Sequence, residues 1–503
     1  MGILLDTVTM TFYFYDLETS GINPRAQRIM QFAGQRTDID FNPIGEPQNW
    51  LIKLTDEILP DPDAVLVTGI TPQKTLEEGY TEAEFLKLFS QEVLQPDTVI
   101  CGFNTIRFDD EFMRATLWRN FYDPYEWQWQ DGRSRWDLLD VVRMVRALRP
   151  EGIVWPFEVR TENLDEDGTR DTKDKKTVKV PTNRLELLTK ANGLDHTNAH
   201  DALNDVYATI AVTKLLKEKQ PQMFDYLLKM RDKKLVQELV NLEVKKPFVY
   251  TSGRYESQYQ KTTVAFPLTT GRSGNVVVYD LRYDPAEFMN LSEKDIARKI
   301  FASREERKKE DFVKLPVKEL QYNRSPAVAP LGVLTQDGGW EKIQLTEEMI
   351  QNHLKTLLAH PDFAERLRTA FEQRPEYKKE SDPDFQIYDR FVGEADKVKM
   401  RAVRSADANV LVDLNLDFAD QRLEQLLPRY KARNFISSLT ASEREGWEKY
   451  RIKRITEGAN GQLSIIEFAK HLSELSDKKT DGNSQFLLQE LQLYAESIAP
   501  LNN

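Results

Sequence analysis

Apolar positions recur along this chain with two periods, every second residue in some stretches and every third or fourth in others. Residues 11–15 form a short apolar run of strand length. Residues 28–37 and 49–53 read as further strands, separated by Asn42-Pro43-Ile44-Gly45, which is turn chemistry. Residues 82–93 read as a helix and 98–103 as a buried strand, while 109–118, 136–148 and 200–216 carry helical periodicity. The pattern predicts an alternating α/β region over residues 1–220. Within it, 158–182 is charged and almost without apolar anchors, which predicts a mobile surface insertion.

From about 247 to 281 the pattern turns to β, through Val249, Tyr250, Thr263-Val-Ala-Phe266 and Asn275-Val-Val-Val-Tyr279, with glycine-rich turns between. Helices are expected to flank it at 293–302 and 347–359. From about Asp384 onward the chain reads as helical, including 420–430, 441–455 and 486–497. The expected organisation is three domains, 1–220, 221–375 and 376–503: α/β, then β-rich, then all-α.

A chain of 503 residues is too long for one core, which agrees with several domains. Forty per cent apolar and 30% charged residues, without a membrane-length run, predict a soluble protein with no membrane association. No secretory signal is read at the start. The single cysteine, Cys101, excludes an internal disulfide framework and fits a cytoplasmic location; its apolar surroundings predict a buried, inert thiol. One cysteine and five histidines argue against a structural zinc site. The net charge of −12 argues against indiscriminate coating of nucleic acid, but leaves room for a local basic channel.

The chemistry begins where the first apolar run ends, at Asp16-Leu17-Glu18. On a strand, i and i+2 share a face, so both carboxylates can meet one cation, and hard oxygen ligands suit magnesium. The plain alternative is an exposed strand end with two solvated acids. A second acidic site, Phe108-Asp109-Asp110-Glu111, opens a helix, where Asp109 could equally be an N-cap. A third, His200-Asp201-Ala202-Leu203-Asn204-Asp205, stands at another helix start, where His200 could be a polar cap. Together, four carboxylates from a strand, a helix start and a later helix can hold two divalent ions ~4 Å apart, with a histidine as general base for phosphodiester hydrolysis.

These motifs resemble the DEDDh exonuclease superfamily and, more narrowly, the bacterial exonuclease I (exodeoxyribonuclease I) family. The narrower resemblance rests on Leu66-Val-Thr-Gly-Ile-Thr-Pro-Gln73, Arg107-Phe-Asp-Asp-Glu111, Arg119-Asn-Phe-Tyr-Asp-Pro-Tyr125, Ser134-Arg-Trp-Asp-Leu-Leu-Asp-Val141, Ala147-Leu-Arg-Pro-Glu-Gly152, Asn198-Ala-His-Asp-Ala202 and Arg429-Tyr-Lys-Ala-Arg-Asn-Phe435. It runs from about residue 12 into the helical C-terminal part, and only 158–182 departs from it. The resemblance implies a ribonuclease-H-like exonuclease domain, an SH3-like β domain and a helical domain that together enclose a strand. It implies 3′→5′ hydrolysis of single-stranded DNA to 5′-mononucleotides in repair and recombination, with two Mg2+ ions or Mn2+ in their place. Carried over by position, Asp16, Glu18, Asp109 and Asp205 become metal ligands and His200 the base. Asp110 and Asp201 are set aside, because the family places its acids directly after the Phe and five residues after the His.

Residues 107–149 are rich in arginine and aromatic residues, which suits phosphate contact and sequence-tolerant stacking at ~1–3 kcal/mol per base. Trp118 and Trp136 fall on helical stripes and are expected in the core. Tyr125, Trp127 and Trp129 are expected to form a stacking platform, and Arg114 and Arg143 to lie inside helices next to the catalytic segments. The resemblance places Arg184, Thr19, Gly69, Glu18 and Ala202 near the terminal nucleotide. It also implies a monomer that binds the C-terminal tail of single-stranded DNA-binding protein, for which Tyr226, Lys246 and the basic residues near Arg429–Arg433 are candidates. The alternatives are an RNA-directed or proofreading nuclease of the same chemistry and a catalytically silent clamp.

Overall fold

The path of the chain is set by its first strand, β1 (Thr11–Thr19), which takes partners on both sides. The computed structural model describes residues 10–162, 176–194, 201–373, 380–458 and 461–500. The chain divides into two compact units. The first gathers Met1–Arg135, His196–Ile210 and Lys378–Asn503; the second gathers Trp136–Asp195 and Ala211–Tyr377.

In the first unit, β1 runs antiparallel to β2 (Ile29–Thr37), which pairs with β3 (Gln48–Leu51), and parallel to β4 (Thr98–Gly102). With β5 (Ser134–Asp137) the order is β3-β2-β1-β4-β5, a mixed sheet of ribonuclease-H-like arrangement. Alternation along β1 sorts its side chains. Tyr13, Tyr15 and Leu17 enter a core with Phe32, Phe85, Phe89 and Phe112, and Asp16 and Glu18 take the other face. Helices α1 (Pro62–Thr68), α2 (Pro72–Glu78), α3 (Glu82–Leu88) and α4 (Asp109–Arg119) follow; α3 starts on a Thr81–Glu84 capping box. The helical expectation over 82–93 continues past α3 as a wide turn, Phe89–Val93, which keeps Phe85 and Phe89 on the sheet. Cys101 is buried as expected.

The C-terminal helices belong to this same unit. Among them, Gln421–Asn434 and Ala441–Glu457 are joined to the sheet region by buried charges, and Ile465–Lys478 and Gly482–Ile498 by an apolar core shared with Leu54, Ile58 and Val65. Glu57 accepts from Arg28 at 3.0 Å and from Arg433 at 2.9 Å, and Arg433 reaches Asp384 at 2.5 Å. Tyr450 donates to Asp384 at 3.0 Å, Arg454 to the Ala26 carbonyl at 2.6 Å, and Arg119 pairs with Glu82 at 2.7 Å. Burial alone would raise the Glu57 carboxyl, but Arg433 and then Arg28 outweigh it and hold it at about 2. The same contest leaves Asp384 well below its usual range.

In the second unit, β6 (Phe157–Glu162) and β7 (Lys176–Pro181) form an antiparallel hairpin. The predicted insertion is therefore a paired ribbon at both ends, because β-branched and apolar residues such as Val159 and Val180 flank the charges; residues 163–175 lie outside the described residues. The helix expected from 136 begins at Leu138, since Trp136 and Asp137 finish β5 and Asp137 caps the helix through the Leu139 N–H. A second five-stranded sheet has the order β11 (Val317–Leu320), β10 (Val276–Asp280), β9 (Thr262–Thr270), β8 (Phe248–Thr251), β12 (Ala327–Pro330), antiparallel throughout. Its register shifts opposite Pro267, which has no N–H for the ladder. Phe248, Ala265, Val278, Leu320 and Val328 form its core with Met230, Val236 and Val240. No described helix is long and apolar enough to cross a membrane.

Removing Asp384 strands buried arginines without their counter-charge. Asp384→Ala is expected to lower unfolding stability by about 3–5 kcal/mol in urea titration. A loss below about 1 kcal/mol would show that the network contributes little.

Candidate active site

Asp16 and Glu18 sit two residues apart on β1, opposite Ala33 and Gln31 of β2, just before the register shifts between Glu18 and Thr19. The pleat therefore aims both carboxylates to one side. The Ala202–Lys219 helix supplies the third acid. Asp201 caps its first turn, accepting from the N–H groups of Leu203 at 3.0 Å and Asn204 at 3.4 Å. The Ala202 N–H donates to Gln31 Oε1 at 3.5 Å, which ties this helix start to the strand position facing Glu18. Asp205, one turn further on, is thereby delivered to the pair. Ligating oxygens of Asp16, Glu18 and Asp205 all lie within 4.8 Å of one another.

The electrostatics follow from that crowding. Asp16 is pushed well above the usual carboxylate range, first by burial, then by Asp109, then by Asp205. Glu18 is pushed up to about 9 by burial, then by Asp16, Asp205 and Asp201. Asp109, buried at the first position of α4, thus shares the field of the cluster. It is not an N-cap; Phe108 holds that position without a side-chain bond. An all-oxygen donor set whose members repel one another fits a hard divalent cation, which would relieve the repulsion.

The neighbouring acids have other work. Asp110 accepts from the Tyr15 hydroxyl at 2.7 Å and Gln128 Nε2 at 3.1 Å and pairs with Arg135, so it locks α4 to β1. His200 lies outside the described residues.

Of the residues expected along a nucleic-acid path, several gather in the first unit. Arg114 is buried, donates to Glu111 at 3.0 Å and to Gln128 at 2.8 Å, and stands 5.4 Å from the Tyr125 ring centroid. Trp129 is 61% exposed, whereas Trp127 is buried in the core against Tyr15 and Phe89. Trp127 therefore leaves the expected platform, because its loop folds into short 3-10 turns rather than the extended form that i, i+2, i+4 spacing assumes. Trp118 and Trp136 are core residues, as expected. Tyr388 and Phe391 were not singled out from the sequence. The Tyr388 hydroxyl donates to Glu111, and the Phe391 ring, 81% exposed, meets Tyr125 edge-on at 5.5 Å. Two aromatics in a non-helical stretch ending at Gly393 were the available signal.

The remaining candidates are placed as follows. The Thr19 hydroxyl donates to the Gly21 carbonyl at 2.8 Å, and the Gly69 N–H closes α1 on the Val65 carbonyl. In the second unit, Arg184 is exposed and pairs with Glu186, Arg143 donates to Asp140 at 2.6 Å, and any Cβ at Gly253 would meet the Arg143 guanidinium at 2.8 Å. Tyr226 packs against the core of the β-rich sheet, and Lys246 is exposed. Arg433, whose side chain is 1% exposed, and Arg429, paired with Asp382 and Asp384, belong to the buried network, so they drop out of the basic surface expected for the tail.

Three family models match the chain: Exonuclease over 13–213, Exonuclease I SH3-like domain over 231–373, and Exonuclease I C-terminal domain over 381–498. Exodeoxyribonuclease I of Haemophilus influenzae is 37% identical over 96% of this chain and 98% of its own. The crystal structure of Escherichia coli exonuclease I with a dA16 oligonucleotide is similar at a TM-score of 0.89 and 36% identity, covering 98% of this chain and 100% of that one. A further solved structure, described as SSB/exonuclease I in complex with the inhibitor CFAM, matches at a TM-score of 0.85 and 35% identity over 98% and 100% of the two chains.

The raised Glu18 carboxyl has a consequence for stability. The folded protein keeps a proton that the unfolded chain releases, so metal-free stability falls as pH rises from about 4.5 toward about 9. In EDTA, Glu18→Gln is expected to melt higher than the parent near pH 8 and level with it near pH 4. A lower melting point near pH 8 would remove the repulsion from the account.

Proposed function

This chain belongs to the exonuclease I family, and on that premise we propose that it hydrolyses single-stranded DNA from the 3′ end to 5′-mononucleotides, in repair and recombination. The observation that carries the reading is the convergence of Asp16, Glu18 and Asp205, with Asp109 in the same field. The β-rich and helical parts, matched to exonuclease I in their own right, favour DNA over the shorter RNA-directed nucleases of this chemistry.

Asp16, Glu18, Asp109 and Asp205 are the residues that would hold divalent cations. Bound there, Mg2+ or Mn2+ would activate a water and neutralise charge developing on the phosphate. His200 accepts the proton as the water oxygen bonds phosphorus; the P–O3′ bond breaks, the leaving O3′ takes a proton from solvent water to become the new 3′-hydroxyl, and the terminal nucleotide departs with its 5′-phosphate. An imidazole suits that task near neutral pH. Thr19, Gly69, Ala202 and Glu18 surround the 3′ terminus. Arg184, Arg114 and Arg143 meet phosphates, and Tyr125, Trp129 and the newly found Tyr388 and Phe391 stack bases.

The division 1–220, 221–375, 376–503 assigns catalysis to the first part and strand-holding to the other two. The protein acts as a cytoplasmic monomer and binds the C-terminal tail of single-stranded DNA-binding protein through Tyr226 and Lys246. The relative solved with SSB supports that partner.

With 5′-labelled single-stranded DNA, duplex DNA and RNA of one sequence, a ladder shortening from the 3′ end on single-stranded DNA alone, and only with metal, is expected. Asp205→Ala should abolish it while leaving binding of the strand intact. Cleavage by that variant near the parent rate would sink the metal assignment, and equal degradation of RNA would sink the substrate assignment. A second experiment separates the two surfaces. Trp129→Ala should weaken oligonucleotide binding by ~1–3 kcal/mol and leave tail-peptide affinity alone, and Lys246→Ala should do the reverse. A variant that shifts neither affinity removes that residue from its surface.

A further inference from the structure

A second convergence of metal-ligating side chains lies at the other end of the helix that Gly69 closes. Asp61 and Asp63 open α1, and His471 stands on the Ile465–Lys478 helix; one ligand atom from each lies within 4.8 Å of the others. The His471 Nε2 is 2.8 Å from Asp63 Oδ2. One oxygen of Asp61 accepts the Asp63 N–H at 3.0 Å, which caps the helix and leaves the other oxygen for a cation. All three side chains line a cavity of about 310 Å³, together with Glu467, Lys470 and Glu474.

The charges around the group favour a cation. Lys470 lies 3.9 Å from Glu474, which balances its charge, and Glu467 accepts from the N–H and hydroxyl of Ser464. What remains is two carboxylates facing one imidazole. The donor set differs in kind from the catalytic one. An imidazole nitrogen with two carboxylate oxygens follows the order in which Zn2+, Ni2+ and Co2+ bind more tightly than Mg2+ or Mn2+. Three protein ligands with a fourth position left for water is the open zinc arrangement, which needs one histidine and no cysteine and so differs from the closed Cys/His sites that the single cysteine and five histidines argue against. With Zn–N and Zn–O bonds of ~2.0–2.2 Å, tetrahedral geometry sets ligand atoms ~3.3 Å apart. The His471–Asp63 contact needs to open by only about half an ångström to admit such an ion.

The position gives the ion a role. Val65 of α1 already packs in one core with Phe468, Leu472, Leu487 and Leu491 of the C-terminal helices. A metal bridging Asp61, Asp63 and His471 would fasten the first turn of α1 to the same helices by a bond that hydrophobic packing alone does not supply.

We propose that Asp61, Asp63 and His471 form a second divalent-ion site, selective for Zn2+ over Mg2+, that clamps α1 to the C-terminal helices. The test uses the full chain carrying Asp16→Asn and Asp205→Asn, which silence the carboxylate cluster. Titration calorimetry with zinc chloride near pH 7.5 is expected to give one ion per chain, and magnesium chloride to give none. Adding His471→Gln or Asp63→Asn should weaken zinc binding by roughly tenfold or more, because loss of a direct ligand costs at least as much as loss of an outer partner. Each added substitution should also abolish the zinc-induced rise in melting temperature, with the zinc-free melt of each variant confirming that it folds. No zinc uptake by the Asp16→Asn/Asp205→Asn chain, or uptake untouched by both added substitutions, would overturn the proposal and leave an ordinary imidazole–carboxylate hydrogen bond.

Discussion

Buried arginines and carboxylates that must satisfy one another are the constraint on which the first unit rests. Glu57, Glu82 and Asp384 could not be held ionised out of water without Arg28, Arg119 and Arg433, and those arginines could not be buried without the acids. Its partners come from far apart in the chain: Arg28 precedes β2, Glu57 precedes α1, and Arg433 ends a helix near the C-terminus. A hydrophobic interface tolerates sliding, whereas charges with fixed partners do not. The network therefore sets the register between the sheet region and the Gln421–Asn434 and Ala441–Glu457 helices, and shared apolar cores complete the compact unit.

The carboxylate cluster inverts this logic in the same unit. In the network each acid is answered by a guanidinium, and Glu57 is held at about 2. In the cluster acids face acids, and Glu18 rises to about 9. The cluster is disfavoured by itself and stands because β1, locked by its core face and by the Tyr15–Asp110 bond, cannot turn its other face away. Rigidity bought with paired charges and aromatic packing is what keeps unpaired charges together for a cation to use.

Aromatic residues divide between the same two tasks. Trp127 and Trp118 hold the scaffold, while Trp129, Tyr388 and Phe391 stay exposed beside α4. Arg114 joins the two sets, buried through Glu111 and Gln128 yet standing against the Tyr125 ring. The Asp61–Asp63–His471 group shows a third use of charge in this unit, with one imidazole set between carboxylates at the seam of α1 and the C-terminal helices.

Much of this was legible in the residues themselves, because it depends on short-range geometry. The apolar run ending at Asp16 and Glu18, the buried strand expected over 98–103, the helix opening at Asp109 and the β-rich stretch from Val249 to Tyr279 follow from local sterics and patterning that act within a few residues. The long family motifs supplied the grouping of Asp16, Glu18, Asp109 and Asp205, which no local rule implies. The errors share one cause. Trp127 has the spacing of an exposed platform but turns into the core, the helix expected at Trp136 yields two residues to a strand, and the charged insertion is bounded by a paired hairpin. Each outcome depends on what lies across from the residue, not beside it. The sequence by itself determined the elements and the chemical inventory. Tertiary structure alone decided which charges are answered and which are not: that Arg433 meets Glu57 across 376 residues, that Asp205 arrives at Glu18, and that His471 meets Asp63. Coulomb energy depends on distance and burial, and neither can be read from position along a chain.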